Sequence, residues 1–246
     1  KLEGGSKYVG MVFCYTAMGL LASVIGIMCA RIGKHGSPTK ALNSGTYITT
    51  AIYVVLTGVA TLLLGYNARI WGACIVGLLV GVVIGIATDY FTDDTKPPVH
   101  NVAKASGSGP AFTILSGVAY GFISALPAMI GIGISALSAY LLCEGLDPTG
   151  ANSVQYAMFG ISMAAVGMLS IVGMIVSNDA YGPIVDNARG LAEMGELGDE
   201  VLEITDELDS AGNTVKAVTK GFSIAAAGLT VISLLGAFMS EVNEAA

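Results

Sequence analysis

Six intervals of this 246-residue chain contain no aspartate, glutamate, lysine or arginine: 8–30, 41–68, 70–88, 105–143, 148–178 and 221–240. Each is as long as the roughly 17–25 apolar residues that a membrane-spanning helix needs. Inside a bilayer every backbone amide must be satisfied by the protein itself, which leaves helices or closed barrels. A barrel would show alternating segments of about ten residues, and these intervals are continuously apolar instead. The expected fold is therefore all-α. It is a polytopic membrane helical bundle of six transmembrane helices, A to F, forming a single domain over residues 1–246.

Composition supports that class, because only 12% of residues are charged against about 25% in soluble domains. The 33 glycines suit close helix approach in lipid. Net charge is −7, but the acid gathers in 193–209 and at the C-terminus. It describes one exposed face, and nothing points to nucleic acid. Cys14, Cys29, Cys74 and Cys143 lie in apolar segments without metal-ligand spacing and read as buried free thiols. Walker, GxSxG, CxxC and HExxH motifs are absent. Lys1 is followed by no signal-like segment, so the chain reads as an interior piece of a longer protein.

Helices are expected at about 9–30, 46–66, 70–90, 109–142, 153–192 and from Thr205-Asp206 to about Ser240. Trp71 suits a headgroup-level anchor, and Gly77, Gly81 and Gly85 form two overlapping GxxxG patterns. Thr92–His100 reads as a proline-marked surface loop, and helix E is expected to kink at Gly182-Pro183. Arg31, Lys34, Lys40, Lys96 and Lys104 would share one side, against Lys1, Lys7 and Arg69 on the other. The positive-inside rule then places the motif region 178–220, with residues 186–216, on the cytoplasmic side.

Polar residues of that region follow helical spacing. Asp179, Asp186 and Glu193 recur every seven residues, which keeps them on one face. Asp206, Asp209, Asn213, Lys216 and Lys220 step by three and four on the next helix. Carboxylate and amide oxygens suit a hard cation such as Mg²⁺, which keeps waters and binds substrate phosphate. Lysines nearby suit an anion or an internal ion pair. Asp186 and Asn213 stand out because they adjoin apolar helix. Glu196, Asp199, Glu200 and Glu203 read as a solvated acidic hairpin, and His35 and His100 as loop residues without partners.

Two long stretches carry a resemblance. Asp179-Ala-Tyr-Gly-Pro-Ile-Val-Asp-Asn-Ala-Arg-Gly-Leu-Ala-Glu-Met194 and Thr205-Asp-Glu-Leu-Asp-Ser-Ala-Gly-Asn-Thr-Val-Lys-Ala-Val-Thr-Lys-Gly-Phe222 resemble signatures of the membrane-integral, ion-pumping pyrophosphatases. Ala105-Ser-Gly-Ser-Gly-Pro-Ala111 and Thr88-Asp-Tyr-Phe-Thr92 are similar to weaker elements of that family. The likeness implies a homodimer with about sixteen helices per subunit, of which these would be the seventh to twelfth. It implies hydrolysis of pyrophosphate, taken as its Mg²⁺ complex at a cytosolic funnel, and pumping of H⁺ or Na⁺ through a lipid membrane.

Asp186 matches a Mg²⁺-binding carboxylate of the family, and Asn213 a second Mg²⁺ ligand. Lys216 stands where potassium-dependent members have alanine, and Thr219 follows the potassium-independent pattern. The resemblance thus implies a tethered ammonium in place of K⁺ and activity without that ion. Asp179, Asp209 and Lys220 would extend the polar network. Arg189, Val215, Phe112-Thr113 and Ala226 depart from the family pattern. General-base carboxylates and the ion gate belong to helices outside this chain, so these residues alone are expected to be inactive. The residues themselves also admit a non-enzymatic secondary cation transporter or channel, with Asp179, Asp186, Asp209 and Asn213 along its pathway. A structural membrane piece with a solvated hairpin is the third reading.

Overall fold

A computed structural model describes residues 5–32 and 36–245; Lys1, Lys34 and His35 lie outside the described residues. These fold into α1 (Gly5–Cys29), α2 (Pro38–Leu63), α3 (Ala68–Thr92), α4 (Pro97–Ser106), α5 (Pro110–Cys143), α6 (Ser153–Leu169), α7 (Val172–Met194) and α8 (Asp199–Ala245). One turn of 3₁₀ helix, Glu144–Leu146, follows α5, and there is no strand among the described residues. The all-α expectation holds. Five helices are long and apolar enough to cross a membrane, and α6 with α7 make a sixth span if that bent pair is counted as one.

Helix starts follow from local chemistry. Asn67 caps α3 by accepting from the Arg69 amide at 2.9 Å. Proline stands in the first turn of α2, α4 and α5, where its missing N–H would have had no helical partner. That corrects the expected loop Thr92–His100. Pro97-Pro98 opens α4, and only residues 93–96 connect it to α3. Trp71 likewise is not simply a headgroup anchor, since its Nε1 donates to Thr57 Oγ1 of α2 at 3.0 Å.

Helix E is broken, but not at Pro183. α6 and α7 meet at a 41° bend around Ser170-Ile171. There the Ser170 hydroxyl and amide both turn back to the Gly167 carbonyl, at 2.6 and 3.3 Å, and a side chain bonding into the ladder bends a helix. Pro183 stays inside α7. Helix F begins earlier than expected, at Asp199, with Asp199 and Glu200 in its first turn, where carboxylates favour the positive helix end. At 1.5 Å per residue its 47 residues reach about 70 Å, well beyond the bilayer.

Packing centres on α3, which touches α5, α6 and α8. A Cβ on Gly77 would lie 1.9 Å from the Ala164 carbonyl oxygen, and one on Gly167 1.8 Å from that of Cys74. The first GxxxG pattern therefore does mark a close α3–α6 crossing. Tyr15, Tyr53, Leu78, Met168, Ile171 and Phe222 are fully or almost fully buried around it. The free thiols divide: Cys74 and Cys143 are buried as expected, Cys14 is half-buried and Cys29 is exposed.

The connections sort by end. Residues 37–40, 93–96, 206–207 and 210–211 line one shared vestibule. At the other end Lys7 donates to the Gly65 carbonyl at 2.6 Å and Arg69 to that of Gly145 at 3.1 Å. There too Asp147 accepts from the Thr149 amide and hydroxyl and the Asn152 amide at 2.6–2.9 Å, which lowers its pKa to about 2.

Gly77→Ala and Gly167→Ala should each destabilise the complete protein by about 1–3 kcal/mol, because the added methyl meets backbone. Gly121→Ala has open space around it and should be neutral or better in the same thermal unfolding series. The Asp147 turn should keep its slow amide exchange from neutral pH down to about pH 4, the carboxylate's unfolded value. A depressed folded pKa means that its contribution is lost as pH falls through about 2. Peptide-level exchange over 147–152 reads this directly.

Candidate functional site

α7 and α8 form a tight hairpin. The turn between them uses Glu196 at φ +52° and Gly198 at φ +92°, left-handed backbone that glycine adopts without steric cost. The helices cross where Gly182 meets Gly212. A Cβ on Gly212 would stand 2.6 Å from a Val185 methyl and 3.0 Å from the Gly182 Cα. Gly182 also seats the Lys216 stem, since a Cβ there would fall 2.3–3.0 Å from its Cε, Cγ and Cδ. The Gly-Pro pair expected to kink helix E is thus the bed on which Lys216 lies.

That bed aims the ammonium. Lys216 Nζ donates to Asn213 Oδ1 at 3.1 Å and pairs with Asp186 Oδ2 at 3.8 Å. Asn213 Nδ2 in turn donates to Asp209 Oδ2 at 3.1 Å. Four of the expected site residues, Asp186, Lys216, Asn213 and Asp209, therefore form one connected chain. The Asp186 side chain is 64% exposed and that of Lys216 25%, so the cluster opens outward while the lysine stem is covered. Asp209 Oδ1 is buried with no hydrogen-bond partner.

The remaining expectations separate from this chain. Asp179 and Lys220 make no side-chain hydrogen bond or ion pair among the described residues. Thr219 is 8% exposed and turns from Lys216 into the helix interface, with its hydroxyl 3.5 Å from the Ile175 carbonyl. Arg189, the bulky departure beside Asp186, is drawn away: its Nε donates to Asp206 Oδ1 across the hairpin at 2.8 Å, and its Nη1 pairs with Glu193. Val215 and Ala226 are buried packing residues.

Among the described residues no three His, Cys, Asp or Glu side chains gather as a ready metal cluster. The oxygens gathered around Lys216 Nζ are instead those of the Asp186 carboxylate and the Asn213 amide, with the Asp209 carboxylate on the far side of that amide. All are hard oxygens, and such a set fits Mg²⁺ that retains waters and binds phosphate oxygens. Sequence reasoning missed the glycine seat, although Gly182 and Gly212 both stand inside the quoted motifs. It also missed Asn43, Asp89 and Asn178, which three different helices bring together.

Fold and site define an integral membrane helical protein with a cation-and-anion cluster on a helix pair. Residues 2–246 match the family profile described as inorganic H⁺ pyrophosphatase, and the chain belongs to that family. It is 44% identical over 223 residues to a protein of Clostridium tetani (strain Massachusetts / E88) named putative K(+)-stimulated pyrophosphate-energized sodium pump, covering 91% of this chain and 32% of that protein. It is 37% identical over 248 residues to the K(+)-insensitive pyrophosphate-energized proton pump 2 of Moorella thermoacetica, covering 98% and 35%. A K(+)-insensitive pyrophosphate-energized proton pump of Methanosarcina mazei is 35% identical over 224 residues, covering 91% and 33%. The chain spans about a third of the length of these curated relatives.

The Arg189–Asp206 contact is an exposed ion pair, a kind that contributes little because solvent and salt screen it. A double-mutant cycle with Arg189→Ala and Asp206→Ala should return a small favourable coupling that shrinks at high salt. The measurement is thermal or denaturant unfolding of the complete protein.

Proposed function

We propose that the protein hydrolyses inorganic pyrophosphate, bound as its Mg²⁺ complex, couples this to transport of H⁺ or Na⁺ across a membrane, and needs no K⁺. The observation that carries the reading is Lys216 Nζ, held between Asn213 Oδ1 and Asp186 Oδ2 on the seat made by Gly182. Family membership supplies the reaction class. Relatives of both potassium classes are similar to the chain, so the potassium reading rests on Lys216.

Asp186 and Asn213 would hold Mg²⁺ through their oxygens, with Asp209 orienting the Asn213 amide through its 3.1 Å bond. Bound there, Mg²⁺ supplies neutralisation of phosphate charge. Lys216 contributes a fixed positive charge of the same sign as a bound K⁺ ion. Its stem is packed on α7, so little of its freedom remains to be lost on meeting an anion, and preorganised charge is an effective catalytic contribution. The cluster sits at the vestibule end of the bundle, which we assign to the cytoplasmic side. The assembly is proposed to be a homodimer in lipid.

In membrane vesicles of the complete protein, Mg²⁺-dependent phosphate release should be as fast without K⁺ as with it; a strict K⁺ requirement would sink the potassium reading. Lys216→Ala should lower activity without K⁺ by about tenfold or more and regain part of it when K⁺ is added. Asp186→Asn and Asn213→Ala should raise the Mg²⁺ concentration needed for half-activity by about 10–100-fold, the scale seen when metal-ligand surroundings are disturbed. Ion movement without any phosphate release would favour the secondary transporter instead.

A further inference from the structure

Thr219 and Asn178 belong to the two helices of the candidate site, yet neither touches Asp186, Asn213 or Lys216. They face a separate cavity of about 60 Å³ between α2, α3, α7 and α8, which neither Lys216 nor Asp186 lines. Ile175, Val218 and Phe222 form much of its wall. Six oxygen-bearing side chains line this apolar surround: Asn43, Thr46 and Tyr47 from α2, Asp89 from α3, Asn178 from α7 and Thr219 from α8. Asn178 and Thr219 are 7% and 8% exposed, so they are buried polar groups of the protein interior.

Their hydrogen bonds leave acceptors over. Asn178 uses Nδ2 to donate to Thr46 Oγ1 at 3.3 Å, and no donor meets its Oδ1 among the described residues. Thr219 spends its one proton on the Ile175 carbonyl, at a long 3.5 Å. Asp89 and Asn43 stand at the junction where this cavity adjoins the larger vestibule of about 660 Å³. Lys40 and Lys96 line only the vestibule, and no lysine or arginine lines the inner cavity. The chamber thus holds one carboxylate, two amides and three hydroxyls, with the Asn178 amide oxygen left without a donor and no lysine or arginine in its wall.

A buried oxygen without a donor is costly unless something positive or protic meets it. A divalent ion held by one carboxylate relies on substrate phosphate for the rest of its charge compensation; a single buried carboxylate backed only by neutral oxygens, with no room for a phosphate, matches one positive charge. The size agrees, because one water needs about 10–15 Å³ on the same measure. The cavity has room for a dehydrated alkali ion with a water or two. We propose that this cavity is a binding site for a monovalent alkali cation, entered from the vestibule past Asp89. It lies apart from the place assigned to Lys216 and holds regardless of whether the protein hydrolyses pyrophosphate. An ion there joins α2, α3, α7 and α8 through their side chains, so occupancy stabilises the seam behind the candidate site.

Crystals of the complete protein soaked in Rb⁺ or Tl⁺ should show an anomalous peak bounded by Asp89, Asn178 and Thr219. The peak should vanish in Asp89→Asn, which keeps the shape and removes the charge. In detergent, Na⁺ or K⁺ should raise the wild-type melting temperature by about 1–2 °C over choline chloride at equal ionic strength, the scale expected near tenfold saturation. Asp89→Asn should lose that increment. Should that variant fold poorly, the near-isosteric Thr219→Val should reduce both peak and increment. Water density alone in the cavity, a peak unchanged in Asp89→Asn, or equal melting shifts in wild type and variants would each overturn the site. Neither measurement involves pyrophosphate.

Discussion

The close crossing of Gly182 and Gly212 is the contact on which the rest of this molecule's chemistry depends. Two backbones approach there because neither carries a Cβ at the crossing point, and the same gap beds the Lys216 stem. A lysine on an ordinary helix face would swing through many rotamers, at a side-chain entropy cost of up to about 2 kcal/mol when finally ordered. Here packing has already confined it, with Nζ between an amide oxygen and a carboxylate. The ammonium is a placed charge.

The bundle holds that hairpin at its back. α3 presses into α6 through Gly77 and Gly167, and the bend at Ser170 sends α7 off at its own angle. α1 supports the break at Gly19, where a Cβ would lie 2.2 Å from the Ser170 carbonyl oxygen. The bend separates a buried helix, α6, from one whose outer face carries charge. A straight span of the same length would have kept both on one axis. Helix-end charge and apolar core are reconciled by breaking the helix between them.

Much of this was legible in the chain. Charge-free runs long enough to cross a bilayer leave helices as the economical solution, and all six expected spans correspond to helices. Asp209, Asn213 and Lys216 step by four and three, which on a helix means neighbours, and the structure links them in that order. Pro97-Pro98 and Gly182-Pro183 were harder. Proline ends a helix, starts one or sits tolerated within one, depending on whether neighbours satisfy the freed carbonyl, and sequence alone does not say which. Thr219 illustrates a different limit: it is one turn from Lys216, but the angular step carries it across the edge of the interface into a buried environment.

The sequence by itself determined the class of protein, the number of spans, the family motifs and the faces on which polar residues lie, because these depend on hydrophobic length and helical period, both local properties. Only the tertiary structure decided what those faces meet. It made Gly182 a seat where a hinge was expected, drew Arg189 toward Asp206 and Glu193, and turned Thr219 inward. It also set Asp89 and Asn178 around one small cavity. Each of these depends on how closely two distant segments approach, and that distance is set by packing between helices, which no single helix's sequence contains.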